Sequence, residues 1–444
     1  MTAPILVPSR CCNSAFAMCV THNISRCILS VIIFLRVKSW LFARPLVRIV
    51  TLLVFLPASL LLQAQSFEQL EGLLELHPQL QILSYQAIST EELSEAAMGL
   101  PDPVISLGIN NFPIFDPSFN EFLPTNKAIS VQQSFPNRAI RQARLAIGQA
   151  QARQFDQKRD QLFSAMRSEL IALLYKKTRI KSQAVLAKQR DVKYDQLIDA
   201  LESAVQGGRP SVFRLAEIET ERVEVVRTLI DLDSQSAQVD ARLIYLLGRI
   251  PLTSPPAFNA DRWSGNTMDF HASQVAEASV RVSDGGVDQA KSLWKPEWGA
   301  QLTYQQRDVG NDFGGDDWAS MMVTVTVPFW AKTKQEPRLR AAEARRAAAQ
   351  ARLKDAMRQA SAQYSYFQAI HTASNRAEII LWQKIEAIND EIAAHRINYE
   401  SGAGDYTPVI DGEIAVLKLR AEIAEEQARS GITAAQMDAL LVTP

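Results

Sequence analysis

Cysteine is scarce and confined to one end: Cys11, Cys12, Cys19 and Cys27 all fall within the first thirty of 444 residues. The rest of the chain therefore has no disulfide framework, no thiolate metal site and no thiol nucleophile. Charge of one sign is lacking as well. With 47 basic and 48 acidic residues the net charge is −1, so no global field draws in nucleic acid, and the local excess is a basic run from Lys332 to Arg358. The five histidines, His22, His77, His271, His371 and His395, share no metal-site spacing with one another or with carboxylates. Met321 and Met322 belong to no Met-rich run of the kind that soft copper sites use. The pairs Gly207-Gly208, Gly285-Gly286 and Gly314-Gly315 lack phosphate-loop spacing, and no nucleophile sits in a recognisable elbow. These absences argue against an enzyme, and no cofactor or resident metal is implied.

Long apolar runs are missing too. The run from Ile49 to Leu62 is shorter than the roughly 20 residues a spanning helix needs. Arg44 and Arg48 precede it and polar Gln63 and Gln65 follow it, which reads as an export signal with cleavage expected after Ala64. No cysteine follows to accept a lipid. Residues 1–40, with a second apolar patch at Ile28 to Leu35, are unusual ahead of a signal and suggest an over-extended reading frame. A mature chain without cysteine fits an envelope protein.

What the chain does contain is a duplication. Residues 103–247 and 296–441 read as two copies of one unit of about 145 residues. Pro296 follows Pro103 by 193 residues, Pro328 follows Pro136 by 192, and Gly402 and Leu440 follow Gly208 and Leu246 by 194. The expected layout is residues 1–64 as extension and signal, 65–102 as a leading segment, 103–247 as the first repeat, 248–295 as a connection, and 296–444 as the second repeat with the C-terminus.

Each unit opens with two short alternating runs. Ile105, Leu107 and Ile109 share one face of the first, and Ile129, Val131 and Phe135 one face of the second. In the second unit Trp298, Ala300, Leu302 and Tyr304 oppose Gly299, Gln301, Thr303 and Gln305, and Val323, Val325, Val327 and Phe329 oppose Thr324 and Thr326. Period two with aromatic ends fits transmembrane barrel strands, and from the strands alone it also fits a soluble hairpin. Four strands cannot close in lipid, because each unsatisfied backbone group at an edge costs several kcal/mol. Other copies must complete the barrel, and three copies supply twelve strands. Asp308, Asp312, Asp316 and Asp317, in the loop from Arg307 to Asp317, lack the alternating spacing of a calcium loop and read as solvated.

Helix breakers are nearly absent from Asn137 to about Val205 and from Ala331 to about Glu400, where only Gly148 and Pro337 occur. Nearly 70 residues at helical rise give a rod of roughly 100 Å. The return helix carries Leu215, Ile218, Val225, Leu229, Leu232, Val239, Leu243 and Leu246 in coiled-coil spacing, interrupted by Arg222 and Ser236. The second unit keeps Val409, Val416, Leu419, Ile423, Met437 and Leu440. Between rods lie Gln206 to Phe213 and Ser401 to Asp411, with Ser211 and Asp405 as expected N-caps. If three copies meet at these tips, three Asp405 side chains surround one axis and form an anionic ring.

Together these features resemble the TolC family of outer-membrane efflux proteins, over about residues 67–441. Gly402, Asp405, Tyr406, Val409, Ile410 and Asp411 follow that family's pattern at the helix tips. Gly208, Ser211 and Leu215 follow it in the first unit, but Arg214 stands where an acid is common. The resemblance implies a mainly α protein with a small β part: a homotrimer whose twelve-stranded transmembrane β-barrel continues into a twelve-helix periplasmic α-barrel. A mixed belt about the middle would come from residues 67–100, 249–295 and the C-terminus. It also implies an outer membrane of a Gram-negative cell, a periplasmic adaptor and an inner-membrane pump as partners, and passive conduction. The entrance gate would be Asp405, Tyr406 and Asp411, and the adaptor contact Gly207, Gly208, Arg209, Ser211, Gly402, Ala403 and Gly404. The segment layout leans toward the heavy-metal efflux branch. Type I protein secretion uses the same architecture, and a soluble periplasmic coiled-coil scaffold is the alternative of another class.

Overall fold

The computed structural model describes residues 66–207, 212–257 and 262–442, and the unit considered spans Ala64–Pro444. The expected signal, its cleavage after Ala64 and the extension ahead of it lie outside the described residues, as do Gly208, Arg209 and Ser211. The elements in chain order are α1 (Phe67–Glu75), α2 (Pro78–Ala96), β1 (Val104–Asn110), β2 (Asn126–Phe135), α3 (Arg138–Gln206), α4 (Val212–Leu247), α5 (His271–Ser292), β3 (Glu297–Gln306), β4 (Trp318–Thr326), α6 (Gln335–Glu400) and α7 (Thr407–Asp438). Among the described residues no helix is long and apolar enough to cross a membrane.

The four strands form one antiparallel sheet in the order β1-β2-β3-β4, so β2 and β3 join the two repeats and β1 and β4 are its edges. The prolines set the strand limits. Pro103 and Pro296 stand just before β1 and β3 and Pro136 just after β2, where a missing N–H costs no ladder bond. β4 stops at Thr326, two residues short of Pro328, so Val327 and Phe329 lie beyond the strand they were expected to extend. Register places Ile105, Val131, Leu302 and Met321 in one row across the sheet and Leu107, Ile129, Tyr304 and Ala319 in the next. On the opposite face, Ser106, Ser130, Thr303 and Ser320 form a polar row. The apolar face is uncovered: Leu107 is 79% and Met321 74% exposed.

The rods α3 and α6 contain 69 and 66 residues. α6 starts at Gln335 rather than Ala331, because the chain winds through turns from Trp330 to Lys334 in which the Glu336 N–H bonds Ala331 O at 2.9 Å. Pro337 consequently falls in the first helical turn, where no intrahelical donor is needed. Near the tips the lateral order is α4-α3-α7-α6, and the coiled-coil stripe is buried as its spacing requires, with Ile218, Val225, Leu232, Val239, Leu243 and Leu246 all inside. Arg222, which interrupts that stripe, reaches Asp191 at 3.0 Å and Asp195 at 2.8 Å on α3.

The barrel-proximal parts of the rods are covered differently. α2 packs on α3, while α5 packs between α3 and α6. The segments 65–102 and 248–295, assigned by resemblance to a belt, thus supply two rod-lining helices as well. α1 and α2 continue from the end of α4 through Leu70, Leu74 and Leu80, which pack with Leu243 and Leu246. α5 continues from the end of α7, where the His271 N–H bonds Leu440 O at 3.1 Å and Phe270 bridges Leu441. Gly148 marks the closest approach: a Cβ there would lie 2.2 Å from the Ser94 Cβ of α2. Gly148→Val should therefore lower stability by about 1–3 kcal/mol through overpacking. Gly286→Ala, whose methyl meets nothing within 4 Å, should not. Thermal unfolding of the detergent-solubilised protein compares the two.

Candidate functional site

The end of the rods farthest in sequence from the sheet carries the predicted site residues, and local chemistry shapes it. α6 terminates in a Schellman turn. The Ala403 N–H bonds Asn398 O and the Gly402 N–H bonds Tyr399 O, both at 2.9 Å, with Gly402 at φ 72. Ser401, Gly402, Ala403 and Gly404 form an exposed strip of small residues. In the first repeat Gly207 caps α3, while Gly208, Arg209 and Ser211 lie outside the described residues. Asp405 is not the N-cap of α7. That position belongs to Tyr406, which makes no side-chain cap bond, and the Asp405 carboxylate instead accepts its N–H at 2.8 Å. The helix begins one residue later than the acid could cap, because Pro408 needs no donor in the first turn.

The three proposed gate residues occupy different environments. Asp405 is exposed at the turn. Tyr406 is half-buried against Tyr399, with ring centroids 5.0 Å apart, and packs on the apolar clusters of both repeats. Asp411 is paired with Arg214 of α4 at 3.0 Å, and the same guanidinium holds Glu217 at 2.8 Å. At the 194-residue offset of the tip glycines, Glu217 is the counterpart of Asp411. The first repeat therefore keeps its acid three residues beyond Arg214, and Arg214 forks between the two equivalent carboxylates.

Further charged links lie above this one. Glu413 of α7 reaches Lys193 of α3 at 2.7 Å and Arg396 of α6 at 3.6 Å. Glu221 of α4 accepts from the buried Tyr194 hydroxyl at 2.7 Å and meets Lys418 of α7 at 3.5 Å. The Tyr194 hydrogen bond, helped by Lys418, outweighs burial and holds the Glu221 carboxyl below the usual glutamate range. Burial, reinforced by that bond, pushes the Tyr194 phenol up. Arg214, Glu221, Tyr194 and Glu413 were not among the site residues expected from sequence. Their partners lie up to 220 residues away, and only the repeat offset hinted that Glu217 and Asp411 are counterparts.

These features define a class: a duplicated protomer with a sheet apolar on one exposed face and two helical hairpins whose tips are tied across the repeats. Residues 271–441, α5 to just past the end of α7, match the outer membrane efflux protein family. The chain's fold is that of CusC, described with its folding and transmembrane channel formation, at TM-score 0.71 and 12% identity over 85% of this chain and 92% of that one. The outer membrane protein VceC of Vibrio cholerae superposes at TM-score 0.68 and 14% identity, covering 84% and 95% of the two chains. The open-state MtrE outer membrane channel of Neisseria gonorrhoeae gives 0.68 and 13%, covering 84% and 88%. No curated protein matches the sequence.

The folded-state carboxyl of Glu221 is depressed, so the stability it adds is present at neutral pH and is lost as pH falls through the carboxylate range. Tyr194→Phe should raise that titration toward its ordinary value and flatten the acid-side loss. Unfolding temperature between about pH 6 and 3, spanning the usual glutamate pKa, measures both.

Proposed function

We propose that three copies of this chain form one passive export duct, joined at its periplasmic tips to an adaptor and through it to an inner-membrane pump. The observation that carries the reading is the exposed apolar band across a four-stranded sheet with two open edges. A soluble scaffold would bury or polarise that band, whereas lipid accepts it and neighbouring copies satisfy the edges. The outermost helices support the same assembly. α4 exposes Val223, Val226 and Ile230, and α6 exposes Ile379, Ile380 and Trp382, as helices that meet another copy would.

The entrance is read as Asp405, Tyr406 and Asp411 near the trimer axis, with Asp405 supplying the anionic ring. The Arg214 bridge ties α7 to α4 and so restrains the tip. The small residues Gly402, Ala403 and Gly404, with Gly207, Gly208, Arg209 and Ser211, are the proposed adaptor contact, since the exposed Cβ-poor turn from Ser401 to Gly404 accepts close approach by another chain. The cargo assignment leans to heavy-metal cations on segment layout, and selectivity would then reside in the pump and adaptor. Among the described residues no group of three or more His, Cys, Asp or Glu is placed to hold a metal.

Detergent-extracted protein in planar bilayers should give discrete conductance steps from a particle of three chains; a soluble, non-conducting particle would discard the duct. Asp405→Ala and Asp411→Ala should reduce cation preference, and unchanged conductance and preference would remove the gate assignment. Arg214→Ala should raise conductance by freeing the tip, with Arg214→Ala/Asp411→Ala adding nothing if the two act as one pair. Ala403→Trp should abolish efflux in cells while trimers still assemble; normal efflux would sink the adaptor contact.

A further inference from the structure

The basic run noted in the sequence is not among the residues of the proposed entrance or tip contact, and its start lies where the sheet gives way to the rods. There Lys295, before β3, and Lys334 and Arg338, at the start of α6, line a cleft of about 270 Å³ with Glu297 as its one acid. Their neighbours are neutralised: Arg340 pairs with Glu336 at 3.5 Å and Arg346 with Asp284 at 2.7 Å. Lys295, Lys334 and Arg338 form no ion pair among the described residues. The first repeat shows the same bias. α3 opens with Arg138, Arg141 and Arg144 and has no acid in its first turn, although a helix N-terminus disfavours cations. An external anion would offset this local cost.

Two further features say what kind of anion. Gln335 is 8% exposed and lines the same cleft, yet its Oε1 has no hydrogen-bond donor. The cleft thus offers positive charge for a phosphate and a buried acceptor for a hydroxyl. Past the end of β4, Phe329 and Trp330 line the same cleft and are 82% and 78% exposed. Aromatic rings at such a boundary sit at the level of lipid headgroups. We propose that Lys295, Lys334, Arg338 and Gln335 seat the headgroup of an anionic, hydroxyl-bearing phospholipid of the periplasmic leaflet, with Phe329 and Trp330 against its glycerol and upper chains.

This inference rests on the sheet being the wall of a membrane barrel, and the test separates the two. Purified full-length protein in detergent is titrated with phosphatidylglycerol, with phosphatidylcholine of the same chains, and with inorganic phosphate. Thermal unfolding and lipid retained in native mass spectrometry are the readouts. Phosphatidylglycerol should raise the unfolding temperature saturably, and the other two should not. Lys295→Gln, Lys334→Gln and Arg338→Gln, all exposed positions, should weaken that binding by about fivefold each and leave the lipid-free unfolding temperature at the wild-type value. Equal shifts with phosphatidylcholine, or an unaltered response in the variants, overturns the seat. The same shift with inorganic phosphate alone overturns the lipid assignment. A conducting particle without phosphatidylglycerol preference defeats this proposal only, whereas a soluble, non-conducting particle defeats the barrel beneath it.

Discussion

The backbone of the four-stranded sheet imposes the constraint on which the rest of this structure depends. Its inner pairings satisfy β2 and β3 on both sides, but β1 and β4 each present a row of unmatched amide groups. In water such edges are solvated, and in hydrocarbon each group costs several kcal/mol. Because the apolar rows on one face are uncovered, the proposed duct sets the sheet in hydrocarbon and has other copies meet its edges. In that reading the repeat has a purpose: among the described residues no helix is long and apolar enough to cross a membrane, and duplication supplies an even number of strands.

Away from the sheet, cohesion is divided between apolar stripes and charged links. The stripes hold each hairpin together, as Ile218, Val225 and Leu232 do between α3 and α4. Charged groups connect what the stripes do not. Arg214 with Asp411, Lys418 with Glu221, and Glu413 with Lys193 join helices of different repeats near the tips, and Glu413 with Arg396 joins two helices of the second repeat. These side chains are roughly a quarter to a half exposed, so each pair contributes modestly to stability.

Much of this was legible in the sequence. Strand faces could be read because a period of two places alternate residues on opposite sides, and the register then aligned Ile105, Val131, Leu302 and Met321. The rods were legible because almost no residue interrupts them. The start of α6 was misplaced by four residues because the turns from Trp330 to Lys334 contain no glycine or proline to signal them. Asp405 was misread as a cap because Pro408 shifts the first turn of α7.

The sequence by itself determined the duplication, the alternation of the strands, the length of the rods and the coiled-coil spacing, since each depends on residues a few positions apart. Only the tertiary structure decided that α2 and α5 line the upper rods, that Gly148 exists for the approach of Ser94, and that Arg214 answers two carboxylates. It also decided that Lys295, Lys334 and Arg338 share one cleft. Those contacts bring together residues from segments tens to almost two hundred positions apart, and local periodicity holds no information about which distant faces will meet.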